Sequence, residues 1–232
     1  MKSYVIHLIR HGITEGNLLG QYIGSTDSPL AQQGIDQLLQ LQKKYKYPQA
    51  QVYYSSPLTR CTQTLRILYP EADAILVPDL RECDFGDWEG KTASQLEKED
   101  PQFLEWMKSG TKAQPRNGEN GGVFMQRVCA AFERIVEGMM RSGTTSAVIV
   151  THGGCIMSIL STYGLPRASF YDWLTDNGCG YTLRITPGLW MRSVVAEVES
   201  ILPGGAKRSS DYTIVDVKKD PEKEESFDSS NV

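Results

Sequence analysis

Tyr4-Val5-Ile6-His7-Leu8-Ile9-Arg10-His11-Gly12 is the stretch on which the fold turns. Its first six residues are mostly β-branched and apolar, which reads as a buried strand. Ile13-Thr14-Glu15-Gly16-Asn17 follows and is rich in turn and cap formers. An Arg-His pair therefore sits where a buried strand gives way to a loop. In open α/β sheets the carboxyl end of a strand is where ligands bind. An imidazole there can be a nucleophile, a base or a metal ligand, and a guanidinium offers a fork of donors for phosphate or carboxylate. Taken alone, the pair also fits a basic strand end with no role.

The next segments repeat the pattern. Leu30 leads into a helix with Ile35, Leu38, Leu39 and Leu41 on one stripe, closed by Pro48. A short strand is expected at 52–55. Ser56 as N-cap and Pro57 at the first helical position then start a helix that runs through Arg60, Thr64 and Leu68 and stops before Pro70. A strand at 74–77 completes a β-α-β-α-β order, which points to a mostly parallel sheet covered by helices. Residues 79–92 break the pattern as an acidic, extended loop, and long loops in compact domains are often functional. Short helices are expected over 94–99 and 101–108, a Gly/Pro/Asn-rich loop over 110–122, and the longest helix over 123–141. Phe124, Val128, Ala131, Phe132, Ile135 and Met139 give that helix its core face.

The run 146–151 is apolar enough to be a central strand buried on both faces. It delivers His152-Gly153-Gly154 and then a helix through Ile156, Ile159, Leu160 and Tyr163. The last strands are expected at 180–185 and 192–198, joined by a turn near Pro187-Gly188. The whole predicts a three-layer α/β/α sandwich over residues 1–202, its mostly parallel sheet carrying one antiparallel edge strand. A polar tail over 203–232 would hold one marginal strand at 211–217.

Composition narrows the function classes. The net charge of −4 and pI near 5.5 argue against nucleic-acid binding through a basic surface. Cys61, Cys83, Cys129, Cys155 and Cys179 include no close pair, so neither a disulfide framework nor a zinc site is indicated. His7 and Arg10 interrupt the first apolar run, and no stretch reaches the roughly 20 apolar residues a membrane helix requires. The expectation is a cytoplasmic protein with no membrane or nucleic-acid partner; the oligomeric state stays open, a homodimer included.

Two strand ends supply His11 and His152, a helix start supplies Arg60, and the first loop supplies Arg10 and Asn17. The acidic loop offers a choice of carboxylates. Parallel strands point their carboxyl ends the same way, so these groups can converge on one crevice. Arg10-His11-Gly12, Ser55-Ser56-Pro57-Leu58-Thr59-Arg60, Leu80-Arg81-Glu82-Cys83-Asp84-Phe85-Gly86-Asp87-Trp88-Glu89-Gly90 and Val150-Thr151-His152-Gly153-Gly154 occur in that order. Together they resemble the histidine phosphatase superfamily, the phosphoglycerate-mutase-like group whose signature is the Arg-His-Gly motif. The likeness covers about residues 1–200. The acidic loop is most similar to that of the small phosphatases that include α-ribazole phosphatases and broad-specificity phosphomonoesterases.

The resemblance implies a role for each matching residue. His11 is the nucleophile and becomes a phosphohistidine. Arg10, Arg60 and His152 clamp the phosphoryl oxygens. Glu82 gives a proton to the leaving alkoxide and later takes one from water. Asn17 and the backbone at Gly24 and Gly153 add hydrogen bonds. The implied reaction is hydrolysis of a small phosphorylated metabolite with neither metal nor cofactor. Phosphoryl transfer spreads negative charge over the equatorial oxygens, and preorganised cations stabilise it. Arg suits this better than Lys because its planar donors bind bidentately. Cationic neighbours should keep a nucleophilic imidazole unprotonated, and a phosphate dianion favours the protonated form of an adjacent carboxyl group.

The alternatives are a phosphoglycerate mutase and a non-catalytic phosphate-binding protein of the same fold. The short segment 91–122 favours hydrolysis over a mutase, whose longer insertion would close the site against water. The full set of Arg10, His11, Arg60, Glu82 and His152 favours catalysis. Other residues read more plainly. His7 is a core or sheet-face residue, Arg66 and Arg81 are ion-pair partners, and Cys61 and Cys155 are packing residues. Trp88 and Trp106 belong to core or pocket wall. Glu119 is either an exposed loop carboxylate or a second pocket carboxylate. Ile13, Ile23 and Asn120 depart from the family's usual polar or small residues, which bears on the substrate more than on the chemistry.

Overall fold

A computed structural model describes residues 3–109 and 114–204, so the strand expected at 211–217 lies outside the described residues. Strands β1 (Tyr4–Arg10), β2 (Val52–Ser55), β3 (Ala74–Leu76), β4 (Ser146–Thr151), β5 (Gly164–Leu165), β6 (Gly180–Ile185) and β7 (Ala196–Leu202) form one mixed sheet. Their order is β3-β2-β4-β1-β6-β7-β5. β1 and β4 are parallel and in register from Val5 opposite Ser146 to Arg10 opposite Thr151, while Ser55 of β2 lies opposite Val150. That alignment puts the residues just past three strand ends, His11, Ser56 and His152, side by side.

Alternation along the central strands assigns the two faces. Ile6 and Leu8 of β1 and Ala147 and Ile149 of β4 enter one core; Ile9, Val148 and Val150 enter the other. The first core packs against α6 (Gly121–Ser142) and α7 (Gly153–Tyr163), through Phe132, Val136, Ile156 and Leu160. The second packs against α2 (Gln32–Lys44) and α3 (Thr59–Leu68), through Leu38, Leu65 and Leu68. Truncating any of these buried side chains to alanine costs about 2–5 kcal/mol. A third cluster, Trp88, Leu96 and Phe103, lies under the acidic loop and is roofed by α4 (Ala93–Glu99) and α5 (Pro101–Ser109). No helix among the described residues is long and apolar enough to cross a membrane.

Several local expectations are corrected. The strand that runs against the others is β6, and it lies between β1 and β7 rather than at the edge, because β7 and the two-residue β5 extend the sheet beyond it. Residues 187–193 form a helix, α8 (Pro187–Ser193), where a turn and a strand start were expected. Pro187 opens it, and Val194 closes it in the left-handed region with φ 48°, so β7 begins only at Ala196. α3 begins at Thr59 instead of Pro57, because Asp27 caps it from another loop, accepting from Thr59 N at 2.7 Å and Thr59 Oγ1 at 2.8 Å. Asn120 Oδ1 accepts from Gly122 N at 2.8 Å, which starts α6 at Gly121, two residues before the sequence pattern does. The acidic loop folds into 3-10 turns at Pro78–Leu80 and Gly86–Trp88. Three short elements were not expected: α1 (Glu15–Leu18), β5 and a 3-10 turn at Phe170–Trp173.

Candidate active site

His11 stands where β1 ends. Its Nδ1 lies 2.7 Å from the Gly12 carbonyl oxygen, which can only accept, so Nδ1 carries the hydrogen and Nε2 keeps its lone pair. The loop behind it is pinned: Gly12 N donates to Thr64 Oγ1 at 2.9 Å, and Asn177 Nδ2 donates to the His11 carbonyl at 2.9 Å. Burial, with the Arg60 and Arg10 guanidiniums adding to it, pushes the His11 pKa well below the ordinary imidazole value. The ring is therefore neutral at neutral pH.

His152 caps α7 and is fully buried, its ring 5.2 Å from that of His11 and edge-on to it. Arg60 Nε donates to His152 Nδ1 at 3.3 Å, which leaves the hydrogen on Nε2, 2.9 Å from Ser56 Oγ. Burial, then Arg60, His11 and Arg10, hold this imidazole neutral as well. Arg60 is 1% exposed. Its Nη1 and Nη2 donate to the carbonyls of Thr26 at 2.8 Å and Gly24 at 2.7 Å. Arg60 and His152 stand next to His11 and are not among the residues that line the cavity; contact of both with the phosphoryl oxygens is what the resemblance implies.

Arg10 and Glu82 do reach the cavity. Arg10 Nη1 donates to the Thr175 carbonyl at 2.6 Å, while its buried Nε has no partner among the described residues. Burial lowers the Arg10 pKa, and the carboxylates of Glu82 and Asp176 oppose that shift. Glu82 accepts from Cys83 N at 3.0 Å through Oε1 and from Gly154 N at 3.0 Å through Oε2. A Cβ on Gly154 would lie 2.3 Å from Glu82 Oε1, so only glycine lets the carboxylate approach the start of α7 this closely.

Asn17 and Gly153 also line the cavity. Asn17 completes a capping box on α1: its Oδ1 accepts from Thr14 N at 3.1 Å. Gly24 does not line it, and this corrects its expected role. Its N–H is taken by Glu89 Oε1 at 3.0 Å and its carbonyl by Arg60, leaving no backbone group for phosphate. Glu119 is not a pocket carboxylate; it pairs with Arg127 through Nε at 2.7 Å and Nη2 at 2.8 Å. His7 is a core residue whose Nδ1 lies 3.0 Å from Thr182 Oγ1.

Sequence reasoning missed Arg127. It donates to the carbonyls of Asp79 at 2.9 Å, Arg81 at 2.8 Å and Glu82 at 2.9 Å, and so clips the backbone that carries Glu82 to α6. The available signal was an arginine three residues after Phe124, beside the apolar stripe, since a charge turned inward needs partners. Asn177 was missed for want of any local pattern.

The cavity above His11 holds about 640 Å³. Arg10, His11 and Glu82 are among its charged or ionisable lining residues, and most of the rest is apolar, Tyr22, Phe85, Trp106, Met157 and Phe170 included, with Asn17, Gln21 and Ser158 as polar members.

The chain is similar to known proteins over most of its length. The family model described as histidine phosphatase superfamily (branch 1) matches residues 6–197. An adenosylcobalamin/α-ribazole phosphatase of Salmonella typhimurium is 30% identical over 186 residues, covering 78% of this chain and 90% of the relative. The crystal structure of the α-ribazole phosphatase from Shigella flexneri superposes with a TM-score of 0.69 at 28% identity, over 85% of this chain and 95% of the other. A phosphoglycerate mutase from Bacillus anthracis shares the fold, with a TM-score of 0.69 at 21% identity over 86% of this chain and 92% of the other.

Proposed function

The chain belongs to the histidine phosphatase superfamily (branch 1), and on that footing we propose that it hydrolyses a small phosphate monoester through a phosphohistidine on His11. The observation that carries this reading is the tautomer of His11. Its Nδ1–H is fixed on the Gly12 carbonyl, so the lone pair of Nε2 is available beside the unpartnered Arg10 Nε–H and the Glu82 carboxyl group.

The first step forms a bond from His11 Nε2 to phosphorus and breaks the bond from phosphorus to the ester oxygen. Glu82 hands its proton to the departing alkoxide. In the second step water attacks phosphorus and gives a proton back to Glu82, and the bond to His11 breaks to release inorganic phosphate. Two easier displacements replace one hard one. Arg10 offers donors to the equatorial oxygens, and Arg60, fully buried beside both imidazoles, adds positive potential in a site where water screens little. The short span between the acidic loop and α6 supports transfer to water rather than back to a sugar acid.

The test compares the protein with His11→Ala on p-nitrophenyl phosphate in EDTA. The expected result is turnover unaffected by EDTA and lost in the variant, with acid-labile, base-stable label on His11 from a labelled ester. Equal rates for the two proteins would sink the mechanism.

A further inference from the structure

We propose that Asn177 is a positioning residue for the phosphoryl-transfer step: its amide steadies the carbonyl that selects the tautomer of His11 and ties that carbonyl to Asn17. The proposal rests on the phosphatase reading and adds to it a residue from a distant part of the chain.

Asn177 lies in the turn that leads into β6. Cys179 N donates to the Asp176 carbonyl at 3.0 Å and closes that turn. Gly178 takes its left-handed position, with φ 77°, so Asn177 itself needs no special backbone. The turn lies across the end of β1. Gly178 N donates to the Arg10 carbonyl at 3.0 Å, and Arg10 N donates to the Cys179 carbonyl at 2.8 Å. The Thr175 carbonyl accepts from Arg10 Nη1 at 2.6 Å. Main-chain groups of the turn thus dock it against β1, and the Asn177 side chain is left for another task.

That side chain turns its NH2 group onto three oxygens of the site. Nδ2 lies 2.9 Å from the His11 carbonyl, 3.3 Å from the Gly12 carbonyl and 3.4 Å from Asn17 Oδ1. All three oxygens can only accept, which fixes the amide with its nitrogen toward them. The Gly12 oxygen is the one that bears on the chemistry, because it also takes the Nδ1 hydrogen of His11 at 2.7 Å. A carbonyl oxygen has two lone pairs, so it can serve the imidazole and Asn177 together. Which nitrogen of a neutral imidazole carries the hydrogen is set by the bond the ring makes, so a steady Gly12 carbonyl keeps the Nε2 lone pair free. Asn17 is held by the same amide. Its Oδ1 accepts from Thr14 N, Thr14 Oγ1 and Asn177 Nδ2, while its own NH2 has no partner among the described residues and the residue lines the cavity. One side chain thus registers the nucleophile against a donor for phosphate.

The experiment reads the tautomer directly. The chain has three histidines, so nitrogen-15 labelling of their rings gives few signals, and His11→Ala assigns those of His11 by difference. The wild-type protein should carry the His11 hydrogen on Nδ1 alone. In Asn177→Ala, and in Asn177→Leu, which keeps the bulk without the donors, the Nε2–H form should become measurable beside it. In both variants kcat/KM should fall at least about tenfold on alkyl and p-nitrophenyl phosphates alike, because both esters need the same attack by Nε2. A wild-type hydrogen on Nε2, variants that keep the Nδ1 tautomer whatever their rates, or wild-type kcat/KM in both variants would overturn the proposal. A wild-type protein without turnover would reject the phosphatase reading, and the tautomer comparison would still decide whether Asn177 positions His11.

Discussion

Replacing Arg127 with methionine should uncouple the acidic loop from α6 and misplace Glu82. The arginine bridges the Glu119 carboxylate and the carbonyls of Asp79, Arg81 and Glu82. Methionine keeps much of the aliphatic bulk but leaves Glu119, whose side chain is 15% exposed, without its partner. Breaking a fully buried pair costs about 3–5 kcal/mol, and the residual exposure here places the cost near about 3 kcal/mol. Adding Glu119→Gln should return about 1–2 kcal/mol, because no unpaired charge then remains. Denaturant unfolding of the single and double variants measures both figures. The catalytic effect is separate. A shift of about 1 Å in a reacting group costs on the order of 100-fold in rate. It should fall on the step that needs Glu82, so kcat for an alkyl phosphate drops about 100-fold. The p-nitrophenyl ester, whose leaving group needs little protonation, should lose less than about 10-fold. Equal losses on both esters, or none on either, would refute the positioning role. The double variant should recover stability without recovering the alkyl phosphatase rate, since the three carbonyls stay unclipped.

His7 supplies a pH prediction. Burial pushes its pKa from the ordinary 6.5 down to about 4. The unfolded chain therefore binds a proton that the folded one refuses, so the stability present above pH 6.5 declines as the pH falls toward 4. That decline amounts to at most about 3 kcal/mol. His11 and His152 shift the same way, so His7→Gln should flatten only part of the fall in the denaturation midpoint; an unchanged profile would contradict the assignment. Gly154→Ala places a Cβ 2.3 Å from Glu82 Oε1 and should lower kcat on alkyl phosphates at least about tenfold while the fold survives. Steady-state kinetics with circular dichroism checks this, and wild-type kcat would show that the carboxylate has room to move.

Much of this molecule was legible from local pattern. Tyr4–Arg10 and Ser146–Thr151 are apolar runs of strand length, and each hands a histidine to a loop. Backbone hydrogen bonding and side-chain period act over a few residues, so a short window is enough to place such a strand end. The same reasoning marked Arg10, His11 and His152 and the core face of α6, while Glu82 was singled out among the acidic loop's carboxylates only by the resemblance. It failed where the deciding contact is distant along the chain. Asp27, 32 residues away, moves the start of α3 to Thr59. Glu89 takes the Gly24 N–H that was expected to meet phosphate, and the carbonyls of Thr26 and Gly24 hold Arg60 beside the imidazoles. Arg127 reaches the carbonyls of Asp79, Arg81 and Glu82, 48, 46 and 45 residues away, only because α6 packs against the acidic loop. The cavity's aromatic walls come from separate segments, Tyr22, Phe85, Trp106 and Phe170 among them, which the fold brings together. Periodicity is a property of neighbours in sequence, and so it placed the strand ends and helix starts that carry the candidate site residues. The shape and charge of the space around them depend on which distant surfaces pack together.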